Sequence, residues 1–323
     1  MLEHINIFSG NAHPELARAI CDDLGVELSN AEVFEFSNEN IFVKINETVR
    51  DHDVFVVQPS CSPVSRGLWE LMIMIDALKR ASAGRITAVL PYYPYARTDK
   101  KDQPRVPITA KLMADFLQTA GVHRLLTMDL HAGQIQGFFN IPVDELTAFF
   151  ALADEITSRP GGNRNLVVVA GDAGIAKRAR NFAEWLNAPL AIIEKRRSGN
   201  LDRTEALNVI GEVRGMNALL IDDEVDTGGS LIAAAHALQR VGALEIRAAC
   251  THGVLSGPAV SRLANSPIQE LIVTDTVPIP PHKRIDKLTV VPIAPVFSEA
   301  IRRIHRGDSV GEMYSYSLPK AVS

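Results

Sequence analysis

Several things are scarce in this chain of 323 residues. Its three cysteines, Cys21, Cys61 and Cys250, are odd in number, far apart and free of any C-x-x-C pairing. That removes a disulfide framework and a cysteine-built zinc site, and leads us to expect a reducing cytoplasm. Basic residues (33) do not outnumber acidic ones (38), and a formal net charge of −5 leaves no broad cationic surface for nucleic acid. The longest apolar run, around Leu68 to Leu78, is interrupted by Glu70 and Asp76 and is too short to cross a bilayer. Met1 is followed almost at once by a strand pattern, without the regions of a secretory signal. No G-x-x-x-x-G-K-[ST] occurs, so a phosphate held here is not held by a P-loop.

What is present is an ordinary globular composition, 46% hydrophobic and 22% charged, long enough for about two domains. Short apolar strands alternate with helical patterns from end to end, which predicts an α/β protein with largely parallel sheets. Ile5–Phe8 reads as the first strand, and Pro14 opens a helix with Leu16, Ala17, Ile20 and Leu24 on one face. The runs 33–36 and 41–45 form a hairpin around Ser37-Asn38-Glu39-Asn40. Further strands are expected at 54–57, 86–90, 124–128, 166–170, 190–193 and 246–251, with helices near 68–78, 108–120 and 175–186. Between 91 and 105 lies a charged loop with three prolines, of a length that is usually functional or disordered. Ser158 to Arg164 is the best linker, and a second polar loop runs from Lys195 to Arg203.

The richest stretch is Leu219 to Ser230, L-L-I-D-D-E-V-D-T-G-G-S, followed by an apolar helix pattern. It reads as a buried strand, an acidic turn, a glycine pair and a helix start. Backbone N–H groups of Thr227, Gly228, Gly229 and Ser230 at the positive end of a helix suit a phosphate. Asp222 and Asp223, at the strand's C-terminal end, would repel that phosphate, and fit sugar hydroxyls or a metal ion instead. The bland alternative is a plain strand–turn–helix with Asp226 as N-cap. Asp129-Leu130-His131 and Gly171-Asp172 each follow an apolar strand. His131 and Asp172 could bind a divalent cation, since Mg²⁺ in phosphate enzymes needs only one or two protein ligands; as structural residues they would close a strand and cap a helix. Lys195-Arg196-Arg197 is either a solvated face or a charge-stabilising loop. Arg97 with Lys100-Lys101 is a second cationic set, and Phe36 is either a base-stacking or a core aromatic.

These segments carry a resemblance. The 222–230 motif resembles the ribose-phosphate motif of the phosphoribosyltransferase-type fold. Phe36-Ser37-Asn38, Pro94-Tyr95-Ala96-Arg97, Asp129-Leu130-His131-Ala132, Gln134 to Phe139, Lys195-Arg196-Arg197, Thr251 to Pro258 and Glu299 to Arg303 are similar to the ribose-phosphate diphosphokinase (PRPP synthetase) family over nearly the whole length. The resemblance implies two phosphoribosyltransferase-like domains, 1–150 and 151–304, with about 305–323 returning to the first. It implies transfer of the diphosphoryl group of ATP to the anomeric hydroxyl of ribose 5-phosphate, with Mg²⁺, in a cytoplasmic homo-oligomer (a hexamer built from dimers). Lys195 and Arg197 would be catalytic. Phe36, Asn38, Asn40, Arg97, Thr98 and His131 would bind ATP, the adenine being shared with a neighbouring subunit. Arg197, Asp222, Asp223, Asp226, Thr227, Gly228, Gly229 and Ser230 would hold ribose 5-phosphate, and His131 and Asp172 the metal.

The chain departs from the family pattern at Asn40, Ser65-Arg66, Thr98, Glu145, Gly171, Ile175 and Gly311, mostly on the nucleotide and regulatory side. These departures allow either an active enzyme with altered nucleotide preference or weakened allosteric control, or a silent regulatory paralogue; the ribose-phosphate motif, shared by two families, also admits a phosphoribosyltransferase.

Overall fold

The computed structural model describes residues 3–159, 164–196 and 206–314, with backbone alone at 195, 196 and 206. Residues 160–163 of the expected linker, Arg197 with the polar loop as far as Arg203, and the tail 315–323 lie outside the described residues. The chain divides into two compact units. One runs through Thr147 and takes back Thr276–Pro278 and, among the described residues, 293–314. The other comprises Ala148–Asp275 and Ile279–Pro292.

In the first unit, strands β1 (Ile5–Ser9), β4 (Asp53–Val57), β5 (Arg85–Leu90), β6 (Arg124–Met128) and β7 (Val143–Leu146) form a parallel sheet in that order. Runs such as Val-Phe-Val-Val in β4 are buried on both faces, as a helix-covered parallel sheet requires. The covering helices are α1 (Pro14–Leu24), α2 (Val64–Arg80) and α3 (Thr109–Ala120), with α8 (Ala294–Arg306) returning to pack on α1. Strands β2 (Ala31–Glu35) and β3 (Ile41–Ile45) make a separate antiparallel hairpin lying on α2. Helix α1 shows the local logic: Pro14 sits in its first turn, its stripe of Leu16, Ala17, Ile20, Cys21 and Leu24 is buried, and Gly25 ends it in the left-handed region.

The second unit adds α4 (Phe149–Thr157), β8 (Leu166–Ala170), α5 (Ala176–Trp185), β9 (Leu190–Arg196), β10 (Ala206–Ile210), β11 (Asn217–Val225), α6 (Gly229–Val241), β12 (Ile246–Gly253), α7 (Ala259–Ala264), β13 (Glu270–Thr274) and β14 (Leu288–Val291). Its sheet order is β10-β9-β8-β11-β12-β13-β14, parallel except for β10 at one edge. The α/β class with mainly parallel sheets stands as the alternating pattern predicted. One expectation changes: the strand expected at 190–193 runs on through Lys195 and Arg196, because β10 pairs with it and gives those residues ladder partners.

Candidate active site

The second sheet reverses its order between β8 and β11. The chain leaves β8 for β9 on one side and later places β11 on the other. Loops at the C-terminal ends of strands diverge at such a reversal and leave a crevice for ligands. Gly171-Asp172 ends β8, and the acidic motif ends β11. Gly171 donates to the Ile221 carbonyl (3.5 Å), and a side chain on it would meet Asp222 Oδ2 at the same distance.

The carboxylates are arranged by the strand's own amides. Asp222 Oδ1 accepts the Asp223 N–H (2.9 Å), and Asp223 Oδ1 accepts that of Glu224 (3.0 Å). Asp223 is buried and Asp222 half-buried. Burial pushes the Asp222 carboxyl up to about 8, helped by the hydrogen bond and charge of Asp223 and by the charge of Asp172. A group so placed is stabilised by any cation or hydroxyl donor that reaches it.

After the acids the chain turns on Gly228, which adopts φ +75 as the N-cap of α6, with no side-chain cap. Only glycine takes that backbone region without strain. The plain N-cap reading of Asp226 is thereby set aside: the helix starts beyond it, and its first amides have no capping side chain. The loop is held from outside itself. Val225 and Asp226 carbonyls accept the amides of Leu255 and Ser256 (both 2.9 Å), and Arg262 Nη1 donates to the Thr227 carbonyl (3.1 Å). Thr227, Gly229 and Ser230 are exposed. Asp172, also exposed, closes the turn before α5: its Oδ1 accepts the amides of Gly174 (2.8 Å) and Ile175 (3.2 Å). The N-cap itself is Ile175, so Asp172 organises the helix entry without capping it. Lys195 stands on β9 opposite Leu207.

In the first unit the remaining candidates sit at strand ends and on the hairpin. Phe36 follows β2 and is 48% exposed, in edge contact with Phe34 and Phe42, so it is not the core aromatic that a single Phe usually is. The tip is closed by Phe36 N–H to the Asn40 carbonyl (2.9 Å), with Asn38 Oδ1 accepting the Asn40 amide (3.3 Å). Arg97 is exposed in the long loop after β5. The neighbouring Thr98 turns its hydroxyl back to the Tyr95 carbonyl (2.8 Å), spending it on the turn. His131 is exposed after β6, beyond Asp129, whose φ of +39 marks a constrained turn.

Glu145 on β7 brackets the His131 segment. Its Oε1 accepts the Leu130 amide (3.0 Å) and its Oε2 the Gln136 side chain (2.5 Å). Sequence reasoning marked Glu145 only as a departure, and did not see Arg262, Leu255 or Ser256 as parts of the loop's support. Nor did it see the buried Glu70, which accepts from Asn11 N (3.0 Å), Asn11 Nδ2 (3.0 Å), Gln58 Nε2 (3.0 Å) and Arg66 Nε (3.3 Å). The readable signal was a glutamate on the apolar face of α2.

Fold and motif together define a protein of the phosphoribosyltransferase-type class, with two such α/β units. A model of the N-terminal domain of ribose phosphate pyrophosphokinase matches residues 5–121, and one of the phosphoribosyl synthetase-associated domain matches 200–315. A ribose-phosphate pyrophosphokinase from Clostridium acetobutylicum is 52% identical over 97% of this chain and 98% of its own length. Another, from Caldanaerobacter subterraneus, is 54% identical over 96% and 98%. A solved phosphoribosylpyrophosphate synthetase from Mycobacterium smegmatis superposes with a TM-score of 0.89 at 43% identity, covering 94% of this chain and 100% of that one. The chain belongs to the ribose-phosphate pyrophosphokinase family.

Proposed function

We propose that this protein transfers the β,γ-diphosphoryl group of ATP to the anomeric hydroxyl of ribose 5-phosphate, giving PRPP and AMP for nucleotide synthesis. The observation that carries this is the identity of 52% over 97% of the chain with a ribose-phosphate pyrophosphokinase matched end to end. The acidic motif at the strand-order reversal supports the acceptor half. There the amides of Thr227 to Ser230 and the start of α6 hold the 5-phosphate, while Asp222, Asp223 and Asp226 take the ribose hydroxyls. Arg97 and His131 serve the ATP phosphates; Phe36 and Asn38 face the base, with Asn40 and Thr98 beside them. Reactions of this type depend mainly on alignment and on neutralising charge in flight. Lys195 and Arg197 supply that neutralisation, and Arg197 also contacts ribose 5-phosphate.

Magnesium is tested by the donor set. Among the described residues no group of three His, Cys, Asp or Glu side chains could hold a metal by itself. A phosphate-borne Mg²⁺ needs only one or two protein ligands; besides burial, the charges of Asp223 and Asp172 act on Asp222, so oxygen donors of the kind such an ion takes are gathered there. His131 and Asp172 would hold the ion, whose chemistry is to neutralise and align the phosphates. We further propose a homo-oligomer, supported by the exposed Phe34 and Phe36 on the hairpin, and a cytoplasmic location. Among the described residues no helix is long and apolar enough to cross a membrane.

The test is formation of AMP and PRPP from ATP, Mg²⁺ and ribose 5-phosphate by the purified protein. Absence of AMP contradicts the proposal and favours a silent subunit, and base-dependent consumption of PRPP favours a phosphoribosyltransferase. Lys195→Ala should depress kcat by at least a hundredfold with little change in the KM for ribose 5-phosphate; equal losses in both would contradict its transition-state role.

A further inference from the structure

The loop assigned to the 5-phosphate is electrostatically odd. Asp222, Asp223, Glu224 and Asp226 place four carboxylates within five residues, and no lysine or arginine occurs between Gly215 and Gln239. Apart from the Thr227 and Ser230 hydroxyls, the loop's own donors are backbone amides, so the orientation of those peptide planes weighs heavily in whether it attracts or repels an anion. A carbonyl turned the wrong way would put a further negative dipole end where the motif needs a donor. Nothing inside the motif fixes that orientation: Gly228 is the N-cap, takes φ +75, and carries no side chain to lock it.

Arg262 supplies the lock from another segment. It lies on α7, far along the chain, and its Nη1 donates to the Thr227 carbonyl at 3.1 Å. The same atom stands 3.6 Å from where a Cβ on Gly229 would be, so the guanidinium lies directly beside the first turn of α6. A trans peptide points its N–H opposite to its C=O. The bond that fixes the Thr227 carbonyl therefore also fixes the Gly228 N–H. The placement is costly on its own, because a cation is disfavoured at the positive end of a helix. The Thr227 carbonyl and the acidic side chains of the loop offset part of that cost, and a bound phosphate would offset more. The segment carrying Arg262 is registered on the loop by the amides of Leu255 and Ser256, so this is a built contact.

We propose that Arg262 is a positioning residue for phosphate binding: it pins the Thr227–Gly228 peptide in its anion-accepting orientation and sets a positive charge beside an otherwise acidic loop. This rests on the ribose 5-phosphate reading of the 222–230 motif. The experiment compares wild-type protein with Arg262→Ala, Arg262→Lys and Arg262→Gln, measuring ribose 5-phosphate binding by calorimetry and the KM values for both substrates. Arg262→Ala should weaken ribose 5-phosphate binding and raise its KM at least tenfold, with the KM for ATP changed less than twofold and the melting temperature nearly unchanged. Lys, which retains both charge and donor, should recover most of the loss, and Gln, which retains only the donor, should recover less. Unchanged ribose 5-phosphate affinity in Arg262→Ala, or equal loss for both substrates, overturns the proposal. Should the alanine variant not fold, the order of the Lys and Gln variants decides, and no difference of either from wild type overturns it. If the wild type itself binds no ribose 5-phosphate, the reading of the whole motif fails instead.

Discussion

Asp222 is the residue whose chemistry is most exposed to test. Its folded value of about 8 lies above the 3.8 of a free aspartate, so the folded protein keeps a proton that the unfolded chain releases. The group's contribution to stability is therefore fully present below about pH 4 and is lost as pH rises toward 8. Melting temperatures of the ligand-free protein between pH 5 and 8 should fall more steeply in wild type than in Asp222→Asn, which cannot titrate. Parallel profiles would show that Asp222 does not change protonation there. The glycine pair makes a second contrast at this scale. An alanine at 228 must hold φ +75 and should cost about 1–2 kcal/mol. At 229 the nearest atom to an added Cβ is 3.6 Å away, so Gly229→Ala should leave the melting temperature nearly unchanged. A similar drop in both variants would contradict the backbone argument for Gly228.

Among elements, the β2–β3 hairpin shows how a departure from the family pattern is accommodated. Arg66 bridges Glu35 at the end of β2 and the buried Glu70 of α2, both at 3.3 Å, while Asn11 also donates to the Val33 carbonyl (3.2 Å). The hairpin that presents Phe36 is thus tied to the helix beneath it. Removing the buried Glu70 carboxylate takes the acceptor from the Asn11 N–H and one of the acceptors from each of Asn11 Nδ2, Gln58 Nε2 and Arg66 Nε, so Glu70→Ala should cost about 2–4 kcal/mol in denaturant unfolding. A change below about 0.5 kcal/mol would mean that water replaces the network freely. The strand–acid–glycine–helix order of β11 and α6 was legible because one short segment carries all of it. Strand β10 was not, since its existence depends on pairing with β9, and neither were the partners of Glu145 and Arg262, which lie on different elements from the residues they hold. Local pattern reports local geometry; contacts between distant segments leave no mark on spacing.

At the scale of the whole molecule, the chain is discontinuous in its units. Helix α8 belongs with the first unit although it follows the second in sequence. Its attachment is polar as well as apolar. Asp53 on β4 accepts from Arg85 Nε (2.7 Å) and pairs with His305 Nδ1 (3.0 Å), while Arg85 also donates to the Ile304 carbonyl (2.9 Å). Alternation of strands and helices announces two units but cannot say which of them a late helix rejoins, because that depends on side chains far apart in sequence. The diphosphoryl transfer itself is followed by ³¹P NMR of ATP, Mg²⁺, ribose 5-phosphate and the purified protein. AMP and a diphosphoryl-substituted ribose 5-phosphate should appear in equal amounts, with no ADP. Spectra showing ADP in place of AMP, or no product at all under conditions where the protein is folded, would contradict it.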